Sequence, residues 1–247
     1  MTEKQLADQV VIVTGGASGI GQCAVNCLRA HGARVASFDI TDTATSEDSD
    51  LLLVKCDVSL EGQVENAVAL VAAQWERIDM LVNCAGILDR FAGVGNTATE
   101  DWRRCFAVNV EGPMFLTRAC MPYFLRQETK GRIVNFCSTA SIRGAACGAA
   151  YTASKHALLG LSRSTAWMYA KEGVKCNALL IGPTEGTNIT NTGREPDKFG
   201  FERVQPYGGL LPALLQANDI MPHLLHLLTA PGVNGAELAV DHGFTTA

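Results

Sequence analysis

A doubly wound, parallel α/β sheet in a single domain spanning residues 1–247 is predicted by three observations. Short β-branched runs alternate with longer segments of helical periodicity along the chain, and strands joined by helical crossovers must run parallel. The first run, residues 9–13, leads straight into the glycine-rich turn Thr14-Gly15-Gly16-Ala17-Ser18-Gly19-Ile20-Gly21. The chemistry-bearing residues fall at the ends of such runs or on the segments after them. Open α/β sheets bind their ligands there, outside the carboxyl ends of the strands.

In chain order, residues 9–13 form the first strand. Glycines at 15, 19 and 21 let the backbone approach a pyrophosphate, whose charge the following helix N-terminus favours. That helix is expected over 22–31, with Gly32 as its C-cap. The second strand, 34–38, closes on Asp39, where a dinucleotide fold hydrogen-bonds the adenosine ribose hydroxyls. A 2′-phosphate would meet like charge there, and the next residue is Ile40 rather than Arg, so NAD is expected over NADP.

Residues 41–50 read as a polar, solvated loop without chemistry. A third strand at 51–56 precedes Asp57-Val58, and a helix over 60–75 carries Glu61 in its first turn. The fourth strand, 78–82, runs into Asn83-Cys84-Ala85-Gly86. Residues 88–97, a glycine-containing loop, are placed along one wall of a pocket. From Thr99 helical periodicity continues through Trp102, Phe106, Val110 and Phe115 to Leu125, with Asn109 at an interior position that asparagine disfavours.

The fifth strand, 131–136, delivers Ser138 to its end. The loop beyond is small (Ala140, Gly144, Ala145, Ala146, Gly148), which leaves room above Tyr151. A long helix over 149–171 carries Tyr151 and Lys155 on one face, one turn apart. A free phenol, with a pKa of about 10, is a poor base at neutral pH. A neighbouring cation favours the phenolate, which is how a tyrosine becomes a general acid/base. A sixth strand at 174–181 is followed by a lid over about 184–216, loosened by glycines at 186, 193, 200, 208 and 209. Its apolar members Phe199, Phe201, Tyr207, Leu210, Leu211 and Leu214 favour a hydrophobic substrate. A last helix at 218–228 and a closing strand at 237–240 complete the pattern, ahead of Asp241-His242-Gly243.

With T-G-x-x-x-G-I-G at 14–21 and Y-x-x-x-K at 151–155, the sequence resembles the short-chain dehydrogenase/reductase family over essentially the whole chain. The resemblance implies a Rossmann-type fold and a catalytic set of Asn109, Ser138, Tyr151 and Lys155. In it, Tyr151 exchanges the proton while Lys155 lowers the Tyr151 pKa and holds the nicotinamide ribose. Ser138 binds the substrate oxygen, and Asn109 holds a water that links Lys155 to solvent. Cofactor contacts are implied at Gly15, Ser18, Gly19, Ile20, Gly21, Asp39, Ile40, Asp57, Val58, Asn83, Ala85, Gly86, Tyr151, Lys155, Pro183, Thr184 and Thr187. Asp57 and Val58 bracket the adenine in this scheme, and Asn83 braces the central strand. Three departures stand out: Cys84 replaces a second Asn, Pro183 lacks its following Gly with Thr187 one residue early, and His242 replaces a Gly.

The activity implied is NAD-dependent interconversion of a secondary alcohol and a ketone, with a bulky, apolar substrate, cyclic or aromatic. A dehydratase or epimerase on the same fold, and a non-catalytic NAD-binding module, are the competing readings. The resemblance also implies a homotetramer, built through helices at 102–125 and 150–170.

Composition narrows the rest. A net charge of -5 without a basic cluster argues against nucleic acid. Nine cysteines with no C-x-x-C pair read as reduced, mostly buried thiols, and His223-x-x-His226 lacks a third metal ligand, so no metal is expected. The polar first eight residues do not read as a signal peptide, and no run is long enough to span a membrane. A soluble, cytoplasmic protein is the expectation.

Overall fold

The computed structural model describes residues 5–41, 46, 48–187, 189 and 193–246. Its strands are β1 (Val10–Thr14), β2 (Arg34–Asp39), β3 (Leu51–Lys55), β4 (Met80–Asn83), β5 (Arg132–Ser138), β6 (Lys175–Ile181) and β7 (Glu237–Val240). They form one parallel sheet in the order β3-β2-β1-β4-β5-β6-β7. The chain winds outward to β3, then returns past β1 to start β4, so the order reverses between β1 and β4. A crevice opens at such a switch point.

The helices are α1 (Gly19–Ala30), α2 (Glu61–Trp75), α3 (Thr99–Phe106), α4 (Gly112–Arg126), α5 (Ala149–Met168), α6 (Lys198–Gly208) and α7 (Ala217–Thr229). Every residue of β1 is buried because helices cover both faces of the sheet, which makes a central strand read as a continuous apolar run. The period of two still sorts its side chains. Val11 and Val13 enter the core under α1 and α7 with Ala24, Leu28, Ile220 and Leu224. Val10 and Ile12 enter the opposite core with Val64, Val68, Leu116 and Phe124 from α2 and α4. Each of the valine, leucine, isoleucine and phenylalanine side chains among them contributes about 1.5–3 kcal/mol on burial.

A polar chain crosses the otherwise apolar centre. Asn83 Nδ2 donates to Asn135 Oδ1 (2.7 Å), Asn135 Nδ2 to Ser162 Oγ (2.8 Å), and Ser162 Oγ to the Leu158 carbonyl (2.8 Å). Asn83 and Asn135 are register partners on β4 and β5. Asn83 Oδ1 is buried without a partner.

The expected elements are present with shifted ends. Helix α1 begins at Gly19, three residues earlier than expected, because the glycine turn passes directly into it. Strand β5 runs on to Ser138, and α5 stops at Met168. The helix expected from Thr99 holds a π-helical turn, Ala107–Glu111, with Asn109 in it. His242 takes a φ of +53°, the left-handed region where a glycine is at ease.

The segment 184–216, expected as a lid, has secondary structure of its own. Its described part contains a helix, α6, capped by Asp197, whose carboxylate accepts from Gly200 N (2.8 Å). Other parts of that segment, and of the loop expected at 41–50, lie outside the described residues.

Candidate active site

A cavity of about 860 Å³ opens along the carboxyl edge of the sheet. Its walls include Gly15, Ser18, Gly19, Ile20, Gly21, Asp39, Ile40, Asp57, Val58, Ala85, Gly86, Ser138, Tyr151, Lys155, Pro183, Thr184 and Thr187. Asn83 and Asn109 stand behind the wall.

At one end the glycine turn leaves no room for side chains. A Cβ on Gly21 would lie 2.0 Å from the Gly15 carbonyl oxygen, and Gly15 itself takes a φ of +69°. The turn is held from below, with Gly15 N (2.8 Å) and Gly16 N (3.3 Å) donating to the Phe38 carbonyl. Ser18, at the N-cap of α1, makes no side-chain capping bond, and the first turn of α1 carries no acid. The orphan amides and the positive end of that helix therefore face the cavity. Asp39 closes β2 beside them, accepting from Ala17 N (3.1 Å) and Thr41 N (3.0 Å). Thr14 Oγ1 accepts from both Cys84 N and Ala85 N (3.0 Å each), so the cysteine substitution leaves this backbone tie in place.

A bare-backbone cradle, an open helix N-terminus and a carboxylate at the next strand end fit an extended dinucleotide. Gly15, Gly19, Gly21 and the α1 amides would hold its phosphates, with Asp39 turned to a ribose. Thr187 packs over this turn, with its Cα 3.8 Å from where a Gly19 Cβ would stand.

At the other end, Ser138, Tyr151 and Lys155 come together. Ser138 ends β5 and caps the following turn, its Oγ accepting from Ala140 N (3.1 Å). Tyr151 and Lys155 are both buried on α5, with Lys155 Nζ 5.6 Å from the phenol ring centre. Lys155 Nζ donates to the Phe136 carbonyl (2.8 Å). Burial pushes the Lys155 pKa down and the Tyr151 pKa up. A Ser138 hydrogen bond pulls Tyr151 back toward the phenolate, while the nearby Cys147 opposes it. The expected lowering of the Tyr151 pKa is thus reversed in the protein alone, because desolvation of the phenolate outweighs its favourable neighbours.

Asn109 is fully buried and pairs with protein groups: Oδ1 accepts from Ile87 N (2.9 Å), and Nδ2 donates to the Ile87 carbonyl and Ser154 Oγ (3.0 Å each). A Cβ on Gly86 would lie 3.4 Å from Asn109 Oδ1 and 3.5 Å from Lys155 Nζ, so these two groups approach the same bare backbone.

Beyond Tyr151 the cavity is apolar, walled by Leu88, Phe91, Ala146, Cys147, Ile189 and Leu214. The loop at 88–97 was expected at this wall, whereas Cys147 carries no motif that singles it out. The described part of the lid is tied to that loop. Arg90 Nε donates to the Glu195 carbonyl (2.7 Å), Asp197 N donates to the Arg90 carbonyl (2.7 Å), and Arg194 pairs with Asp101. Phe91 meets Phe201 of α6 edge-on at 5.4 Å. Among the described residues, no group of His, Cys, Asp and Glu is arranged to hold a metal, and no helix is long and apolar enough to cross a membrane.

Known proteins resemble this chain over nearly its whole length. The family model described as short chain dehydrogenase matches residues 9–198. Asnovolin H dehydrogenase nvfC of Aspergillus novofumigatus is 36% identical over 255 residues, covering 98% of both chains. Short-chain dehydrogenase/reductase olcF of Penicillium canescens is 34% identical over 256 residues, again covering 98% of both. Among solved structures, levodione reductase superposes with a TM-score of 0.86 at 26% identity, over 98% of this chain and 99% of that one. A 3-ketoacyl-(acyl-carrier-protein) reductase from Brucella melitensis complexed with NADH gives 0.86 at 25% identity, over 97% and 99%.

Proposed function

Because the chain belongs to the short-chain dehydrogenase/reductase family of oxidoreductases, we propose that it interconverts a secondary alcohol and a ketone with NAD as its cofactor. The observation that carries this reading is the convergence of Ser138, Tyr151 and Lys155 on one wall of a cavity whose other end is a bare-backbone anion cradle. A bound nicotinamide supplies the hydride acceptor or donor. The chain supplies the proton and the geometry.

In alcohol oxidation, Tyr151 as phenolate takes the hydroxyl proton while Ser138 holds the oxygen in line. Lys155, freed from the Phe136 carbonyl to face a bound ribose, places its cation beside the phenol and offsets the cost of burial. Asn109, held by the Ile87 backbone, positions a water beside Lys155, and that water passes the proton outward. Ketone reduction reverses each step. Asp39 selects NAD over NADP by repelling a 2′-phosphate, with Ile40 supplying no cation in its place. Asp57 and Val58 flank the adenine, while Pro183, Thr184 and Thr187 close over the nicotinamide side. The apolar end of the cavity and the segment 184–216 take a bulky, neutral ring system.

One domain carries the whole site. Assembly as a homotetramer is supported by apolar side chains left exposed on α4 and α5, among them Leu125 and Trp167, the latter 82% exposed. A reducing, cytoplasmic setting accords with nine free thiols.

The test is initial rate with NAD and with NADP across small, polyol and bulky cyclic secondary alcohols, for wild type and Tyr151→Phe. NAD-dependent turnover of bulky members is expected, with kcat reduced roughly 10²–10⁴-fold by the substitution. Preference for NADP would overturn the reading of Asp39. Full activity in Tyr151→Phe would overturn the mechanism.

A further inference from the structure

The loop between β4 and α3 carries a buried acid that the reaction scheme leaves unused. Asp89 is 4% exposed and lies under the first turn of α5. Its Oδ2 accepts from Tyr151 N (2.9 Å), and its Oδ1 accepts from Phe91 N (2.8 Å) and from Cys147 Sγ (3.5 Å). Helix α5 needs such a group. Its N-cap is Gly148, which has no side chain to offer, and the amide of Tyr151 is one of the orphans of the first turn. The glycine is dictated by the acid, because a Cβ at 148 would stand 2.5 Å from both carboxylate oxygens and 2.7 Å from Ala92 N. A second tie, Ala149 N to the Ala92 carbonyl (2.8 Å), fixes the same loop to the same turn.

The other oxygen holds a strained residue. Phe91 takes a φ of +60°, which is uncommon for a bulky side chain and persists only when its surroundings over-determine it. Its ring is part of the apolar wall of the cavity. One carboxylate therefore grips the backbone of the proton-transfer residue with one oxygen and the backbone of the substrate wall with the other.

We propose that Asp89 is a positioning residue that sets the distance between the Tyr151 phenol and the Phe91 wall, and so fixes both the rate and the size preference of the reaction. The kinetic side rests on the redox reading above. The structural side does not.

The experiment compares wild type, Asp89→Asn and Gly148→Ala by amide hydrogen exchange of the full chain and by kinetics on a small and a bulky secondary alcohol. An amide side chain keeps a single acceptor, so Asp89→Asn holds one of the two backbone groups and releases the other. A Cβ at 148 pushes the carboxylate away from the opposite side. Exchange at Tyr151 or Phe91 is expected to speed up at least about 10-fold in both variants, with NAD affinity within about 2-fold of wild type. Misplacement of the acid/base should lower kcat about 10- to 100-fold. The ratio of kcat/KM for bulky over small alcohol should shift at least about 5-fold, which a general loss of stability would not produce. Unchanged exchange at both amides, or folded variants with kcat and size ratio within about 2-fold of wild type, would overturn the proposal. If wild type oxidises no alcohol, the redox reading fails while the exchange data still decide on Asp89.

Discussion

Helices α1 and α5 both start at the carboxyl edge of the sheet without a side-chain cap of their own, and they are completed in opposite ways. At α1, Ser18 bonds to nothing in the first turn and that turn carries no acid of its own, so the amides are left to the cavity that Gly19, Ile20 and Gly21 line. At α5, a buried carboxylate from a residue 62 positions away fills the same role. A helix N-terminus carries about half a positive charge in either case. Left open, it is a place for an anionic ligand. Closed by a protein acid, it becomes a fixed mount, here for Tyr151 and Lys155.

The largest effect should come from closing the α1 cradle sterically. Gly21→Ala sets a methyl 2.0 Å from a backbone oxygen that has nowhere to move, and NAD affinity by calorimetry is expected to fall more than about 100-fold. Retained affinity would mean that the phosphates bind elsewhere. A smaller and more pointed change makes α1 resemble α5. Ser18→Asp supplies the missing acid, so the melting free energy should rise by about 0.5–1 kcal/mol while NAD binds about 10-fold more weakly. A gain in both quantities would refute the idea that this end is kept open for an anion.

The smallest effect concerns the charge mounted on α5. Burial holds the Lys155 pKa below its unfolded value, so the unfolded chain binds more protons between the two values and stability rises with pH up to about 10.5. Above pH 10 the raised Tyr151 pKa acts in the reverse sense, since the folded chain keeps its phenolic proton longer. Lys155→Met should flatten the rising limb in denaturant titrations from neutral pH up to about 10.5. An unchanged slope would show that the ammonium is solvated.

The contrast between the two helices also marks what a reader of the sequence can see. The α1 end is legible because its cause is local: a β-branched run, glycines at 15, 19 and 21, and an acid at the next strand end all lie within one unit of chain. Ser138, Tyr151 and Lys155 are legible for the same reason, through strand-end position and helical spacing. The α5 cap is not, because Asp89 sits in an unremarkable Leu-Asp-Arg and acquires its role only when the loop folds back on Gly148. The direction of the Tyr151 shift is hidden on similar grounds, since spacing shows the neighbouring cation but not the depth of burial. Helix α6 was hidden by Gly200, Gly208 and Pro206, residues that argue against a helix. Gly200 is there because the Phe91 carbonyl would sit 1.7 Å from any Cβ, a contact that sequence cannot display.

The asparagine chain through the core has a consequence for how such a sequence can be shuffled. Asn83, Asn135 and Ser162 belong to three different elements, and Asn135 links the other two. A breakpoint between residues 83 and 162 that joins one of these amides to a parent with an aliphatic residue at the partner position strands a buried donor or acceptor, at about 1–3 kcal/mol each. With such a parent, strands β4 and β5 and helix α5 are best kept as one block, which also holds Asp89 and the proton-transfer residues proposed above.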